Sequence, residues 1–71
     1  MISEEQLQNW FTYHPPSSEQ KEAYEEIRIS ARKFAEIILK YTPPSADQTA
    51  AIRKIREAVM TANVSIACGG Q

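Results

Sequence analysis

Glycine is nearly missing from this sequence: its two copies, Gly69 and Gly70, stand beside the C-terminus. No Gly-rich phosphate loop can be built, and nothing loosens the chain before residue 69. Cys68 is the only cysteine, which excludes an internal disulfide and a cysteine-based metal site, and suits a reducing compartment. His14 is the only histidine, and nothing at useful spacing completes a catalytic triad or a zinc site around it. Catalysis is therefore not expected, and neither is a cofactor. No apolar run approaches the roughly 20 residues of a membrane span, and the acidic opening "MISEEQLQNW" has no apolar core of a signal peptide. A soluble intracellular protein without membrane contact is the expectation. A one-signed charge excess is missing too. Eight basic and nine acidic residues give a net charge of −1, and a polymeric DNA or RNA partner would call for a basic surplus.

What is present reads as helix. The 71 residues make one small domain, spanning 1–71. A monomer of that size buries little surface, so self-association is the expected source of further stability. Three helix starts carry the Ser-x-x-Gln pattern of a capping box, at Ser3/Gln6, Ser17/Gln20 and Ser45/Gln48. The prolines before the second and third exclude earlier starts. A short helix is expected over about 4–10, a long one over about 18–41 and another over about 46–67.

In the first long helix Tyr24, Ile27, Ala31, Phe34, Ile38 and Tyr41 recur at alternating steps of three and four. Ile52, Ile55, Val59, Ala62 and Ile66 repeat the pattern in the second. Such spacing makes a coiled-coil-like seam, and the short "TPPS" connection folds the pair back as an antiparallel hairpin. The fold class is thus all-α: a short N-terminal helix followed by a long antiparallel hairpin. Ile29, Leu39, Met60 and Val64 lie off these seams. They are either scattered surface residues or the contacts of a homo-oligomer.

Two groups of residues could carry chemistry. Lys21, Arg28 and Arg32 fall within about 40° on one strip of the first long helix. Glu25 shares that strip, so these cations either form a solvated face laced by i,i+4 pairs or hold an anion. Arg28, at the seam edge, suits bidentate capture of a phosphate. The second group is "FTYH". The stretch "PPSSEQ" has a counterpart in "PPSADQ", residues 43–48, so capping accounts for it, but Phe11, Tyr13 and His14 are left over. They either cover a bundle end or form a stacking platform for nucleobases, and Trp10 could join either arrangement. In "VMTANVSIACGGQ", Thr61, Asn63 and Ser65 either satisfy one another across an interface or line a small pocket. Apart from ligand binding, the exposed stripe leaves room for a plain helical adaptor that docks on a partner protein.

In order along the chain, "FTYHPPSSEQKEAYEEIRISARKFAEII", a proline-containing turn and "AIRKIREAVMTANVSIA" resemble the helical-hairpin domain of phage anti-CBASS and anti-Thoeris sponge proteins. The similarity spans about residues 9–67. It implies a non-enzymatic protein of the infected bacterial host's cytoplasm that sequesters cyclic oligonucleotide second messengers and blocks defence signalling. It implies a small helical homo-oligomer, commonly a hexamer. Cyclic dinucleotides such as cGAMP would sit between protomers against an N-terminal aromatic, a basic residue of the long helix and a hydroxyl. The matching positions are Tyr13, Arg28 and Ser30; Phe11, His14, Lys21 and Arg32 stay candidate ligand contacts on the reading of the residues alone. Some members also hold cyclic trinucleotides in separate pockets.

Overall fold

The computed structural model describes residues 1–71 as three helices without a strand: α1 (Glu4–Trp10), α2 (Ser18–Tyr41) and α3 (Ala46–Ala67). α1 opens with a complete capping box. The Ser3 hydroxyl accepts the Gln6 amide at 3.1 Å, and Gln6 Oε1 accepts the Ser3 amide at 3.0 Å. Glu4 and Glu5 in its first turn favour the positive end of the helix dipole. Ser17 and Gln20 build the same reciprocal pair at the start of α2, at 3.1 and 2.9 Å.

The third start departs from the expected box. Ser45 accepts the Gln48 amide at 3.1 Å, but the Gln48 side chain does not return to Ser45. Its Nε2 instead donates to the carbonyl and hydroxyl oxygens of Thr42, each at 3.0 Å. The reason is the turn. Thr42 is extended (φ −119°, ψ 146°), as a residue before proline tends to be, and its two acceptors lie over the first turn of α3. Gln48 thereby ties the end of α2 to the start of α3.

α3 stops in a Schellman motif. The Gly70 amide donates to Ser65 O at 2.8 Å and the Gly69 amide to Ile66 O at 3.3 Å. Gly69 has φ +64°, a left-handed conformation that costs a side-chain-bearing residue strain.

α2 and α3 pack as an antiparallel hairpin. Gln48 joins them at the turn, and Gln20 Nε2 donates to Ile66 O at 3.4 Å at the far end. On α3 the expected residues Ile52, Ile55, Val59, Ala62 and Ile66 are all half-buried. On α2 Tyr24, Ile27, Ala31 and Ile38 are half-buried, but Ala35 takes the place assigned to Phe34. Phe34 is 56% exposed and Tyr41 73% exposed, so neither belongs to the seam. Relative to Ala31, Ala35 and Phe34 lie on opposite sides of the contact line. With the small side chain turned inward, the phenyl ring is left at the edge of the hairpin. Tyr41, the last residue of α2, lies beside the Lys40 ammonium, 5.2 Å from its ring centre. On α3, Asn63 Oδ1 is enclosed and accepts no hydrogen bond.

α1 lies against the end of α3. Asn9 Nδ2 donates to Cys68 O at 3.1 Å, and Trp10 Nε1 donates to Gln71 O at 2.9 Å. Trp10 is thus part of the tether between the chain ends.

No residue is fully buried. The accessible surface is 6086 Å², whereas a compact monomer of 8.0 kDa would expose about 4,450 Å². The radius of gyration is 15.3 Å, against about 11 Å for a compact chain of this length. One copy is a slab of 45 × 31 × 14 Å with two faces and no interior.

Candidate ligand-binding site

The segment between α1 and α2 presents the leftover aromatics. Phe11 and Tyr13 are 82% and 81% exposed, on a connection fixed at one end by the α1 cap and at the other by Pro15, Pro16 and Ser17. His14 behaves differently. It is half-buried, and its Nε2 is 2.7 Å from Asn9 O. That contact ties the loop to the end of α1, and Cys68 Sγ reaches the same carbonyl at 3.9 Å. One His14 nitrogen is committed to the fold, and the aromatic pair around it is free.

The hairpin has two unlike grooves. One is lined by Ile27, Ser30, Phe34, Ile55, Ala58 and Ala62, and Ser30 is its single polar side chain. The other places Arg28 and Arg32 of α2 opposite Arg56 of α3, over a floor that includes Ala31, Ala35 and Ile52. Arg56 also lines an adjoining recess with Arg53, Glu57 and Met60. Arg28 and Ser30 therefore stand in different grooves, and Tyr13 lines neither. The structure brings Arg28 and Arg32 together. It does not bring Tyr13, Arg28 and Ser30 around one space within a single chain, and Lys21 lines none of these grooves.

Electrostatics separate the three cations of the α2 strip. The one ion pair of the chain joins Arg32 Nε to Glu36 Oε1 at 3.1 Å, an exposed i,i+4 contact of small energetic weight. Glu25, the residue that could have laced the strip, makes no ion pair. Lys21 and Arg28 have no carboxylate within 4.0 Å, so both charges are available to an anion from outside. No group of three metal-ligating side chains is present. No helix is long and apolar enough to cross a membrane.

Arg53 and Arg56 are the residues that sequence analysis passed over. Their signal is the i,i+3 spacing in "AIRKIR", which puts both on one face of α3. Which face of α2 they meet depends on the register of the hairpin.

These features can be set beside known proteins. A family model described as Acb2/Tad1, hairpin domain, matches residues 3–67, nearly the whole chain. The chain belongs to this family. Its members are the anti-CBASS and anti-Thoeris sponges, phage anti-defence proteins that bind cyclic oligonucleotides. The family is one of binding proteins rather than enzymes. Searches among curated proteins and among solved structures found no match.

Proposed function

We propose that this protein sequesters cyclic dinucleotides such as cGAMP in the cytoplasm of the infected host. It holds them uncleaved and so blocks CBASS-type signalling. The observation that carries this reading is the placement of Arg28 and Ser30 in opposite grooves, with Tyr13 exposed apart from both. Residues so divided can act on one ligand only if different copies contribute them. A cyclic dinucleotide, with two bases and two phosphates, suits a two-fold contact that offers each half the same aromatic, guanidinium and hydroxyl. Tyr13 stacks on a base, Arg28 takes a phosphate and Ser30 hydrogen-bonds from the neighbouring copy. Phe11, His14, Lys21 and Arg32 form the rim.

The same reading accounts for the missing core. The apolar groove with Phe34, Ile27 and Ala62 is the self-association surface, and the assembly is a hexamer. Cyclic trinucleotides belong to the same ligand class and would take other protomer contacts.

Isothermal calorimetry with a panel of cyclic di- and trinucleotides tests the proposal. The unmodified protein should bind at least one cyclic dinucleotide and release it chemically unchanged on denaturation. Tyr13→Ala and Arg28→Ala should each abolish that binding while the helical circular dichroism signal persists. A panel without a single binder would refute the assignment.

A further inference from the structure

We infer that Arg56 of α3 is a phosphate-binding residue of the same site, forming with Arg28 a guanidinium clamp built from both helices of the hairpin. The inference rests on the proposed function and extends it from α2 to α3. Arg28 and Arg56 are 28 positions apart in sequence, yet both line one groove from facing helices. Neither has a carboxylate within 4.0 Å, although the chain carries nine acidic residues, and the single ion pair is made by Arg32. Like charges that border one groove repel one another. An anion placed between them turns that repulsion into two charge-assisted contacts.

The floor of the groove strengthens the case. Ala31, Ala35, Ile52, Ile55 and Val59 offer no competing hydrogen-bond donor or acceptor from their side chains. The lining is wholly apolar, so Arg28 and Arg56 border the groove with their aliphatic stems and carry their exposed guanidinium groups at its rim, where a phosphodiester laid across the floor can meet both. The space amounts to about 250 Å³, below the roughly 300–1,000 Å³ of a pocket that encloses a whole small molecule. One copy therefore holds a portion of the ligand, one phosphodiester and its sugar, and a second copy holds the other. Arg53, in the adjoining recess, adds positive charge next to the clamp.

The test is calorimetric titration of the cyclic dinucleotide that binds the unmodified protein best into Arg56→Gln, Arg56→Lys and Lys54→Gln. Lys54 removes the same charge from α3, but lines no groove. Arg56→Gln should weaken binding about 10- to 100-fold, the weight of a hydrogen bond to a charged group. Arg56→Lys should lose less, since the charge stays and the planar fork goes, and Lys54→Gln should bind as the unmodified protein does. Light scattering establishes whether each variant keeps its assembly. If Arg56→Gln dissociates, Arg56→Lys decides, with intact assembly and weakened binding expected. Full affinity in an intact Arg56 variant, or an equal loss in Lys54→Gln, overturns the clamp. Unchanged Arg56→Gln binding alongside lost Arg28→Ala binding would sink the clamp alone. No binding by the unmodified protein would remove both the proposed function and the clamp.

Discussion

His14 and Tyr13 are neighbours with opposite situations. His14 is half-buried with a ring nitrogen 2.7 Å from Asn9 O, whereas Tyr13 is 81% exposed and has no partner in its own chain. The first contact fixes the segment that carries the second. Replacing His14 by Ala should therefore lower stability by about 1 kcal/mol, the usual worth of one hydrogen bond. The loss should appear as a lower melting temperature, with faster amide exchange around Asn9 and Trp10. A variant that melts and exchanges like the parent would show that the ring does not hold the segment. Gly69 allows an equally local test. A Cβ added there meets nothing within 4 Å, so only its φ of +64° resists substitution. Gly69→Ala should cost about 1 kcal/mol, and Gly69→Asn less, because asparagine tolerates the left-handed region better. Equal melting temperatures for the two variants would contradict that account.

The helices owe their limits to a repeated device with one exception. Ser17 and Gln20 satisfy each other's backbone groups at the start of α2, and Gln20 also reaches Ile66 O across the hairpin. Gln48 holds the equivalent position in α3 but serves the turn through Thr42. Gln48→Ala should thus loosen the connection between α2 and α3 while the first turn of α3 keeps its Ser45 cap. A loss of about 1 kcal/mol is expected by thermal denaturation, with increased exchange at residues 42–45. Ser17→Ala should cost a similar amount, about 1 kcal/mol, with fraying at the start of α2 instead. The two glutamines look alike in sequence because each stands three places after a capping serine. They differ in space because only Thr42 brings two acceptors back over the helix that follows it.

At the scale of the molecule the decisive fact is the missing interior. With 6086 Å² exposed and no residue fully buried, one copy has about 1,600 Å² more surface than a compact chain of its mass. That excess is about twice the roughly 800 Å² that one partner contributes to a standard interface, enough for more than one contact per copy in the proposed assembly. Phe34 lines the apolar groove at the hairpin edge, so Phe34→Glu should disperse the assembly. Sedimentation should then give a smaller particle, and the melting temperature of the parent, unlike that of the variant, should rise with protein concentration. A monomeric parent would contradict the assembly and the shared ligand site together. A parent and a variant of equal mass would show that the interface lies elsewhere.

Helical class, the three helix starts, the turn and the α3 stripe from Ile52 to Ile66 were legible in the residue order. Each depends on neighbours within four positions, through capping, proline geometry or helical spacing. The motif that resembles the sponge hairpin was legible too, since it is itself a pattern of residues along the chain. Ala35 in place of Phe34 at the seam was not, because the same wheel allows either and only the approach of α3 selects the smaller side chain. The separation of Arg28 from Ser30 into two grooves, and the meeting of Arg28 with Arg56, were also decided in three dimensions. Both follow from the register and roll of one helix against the other, which no spacing along a single helix encodes.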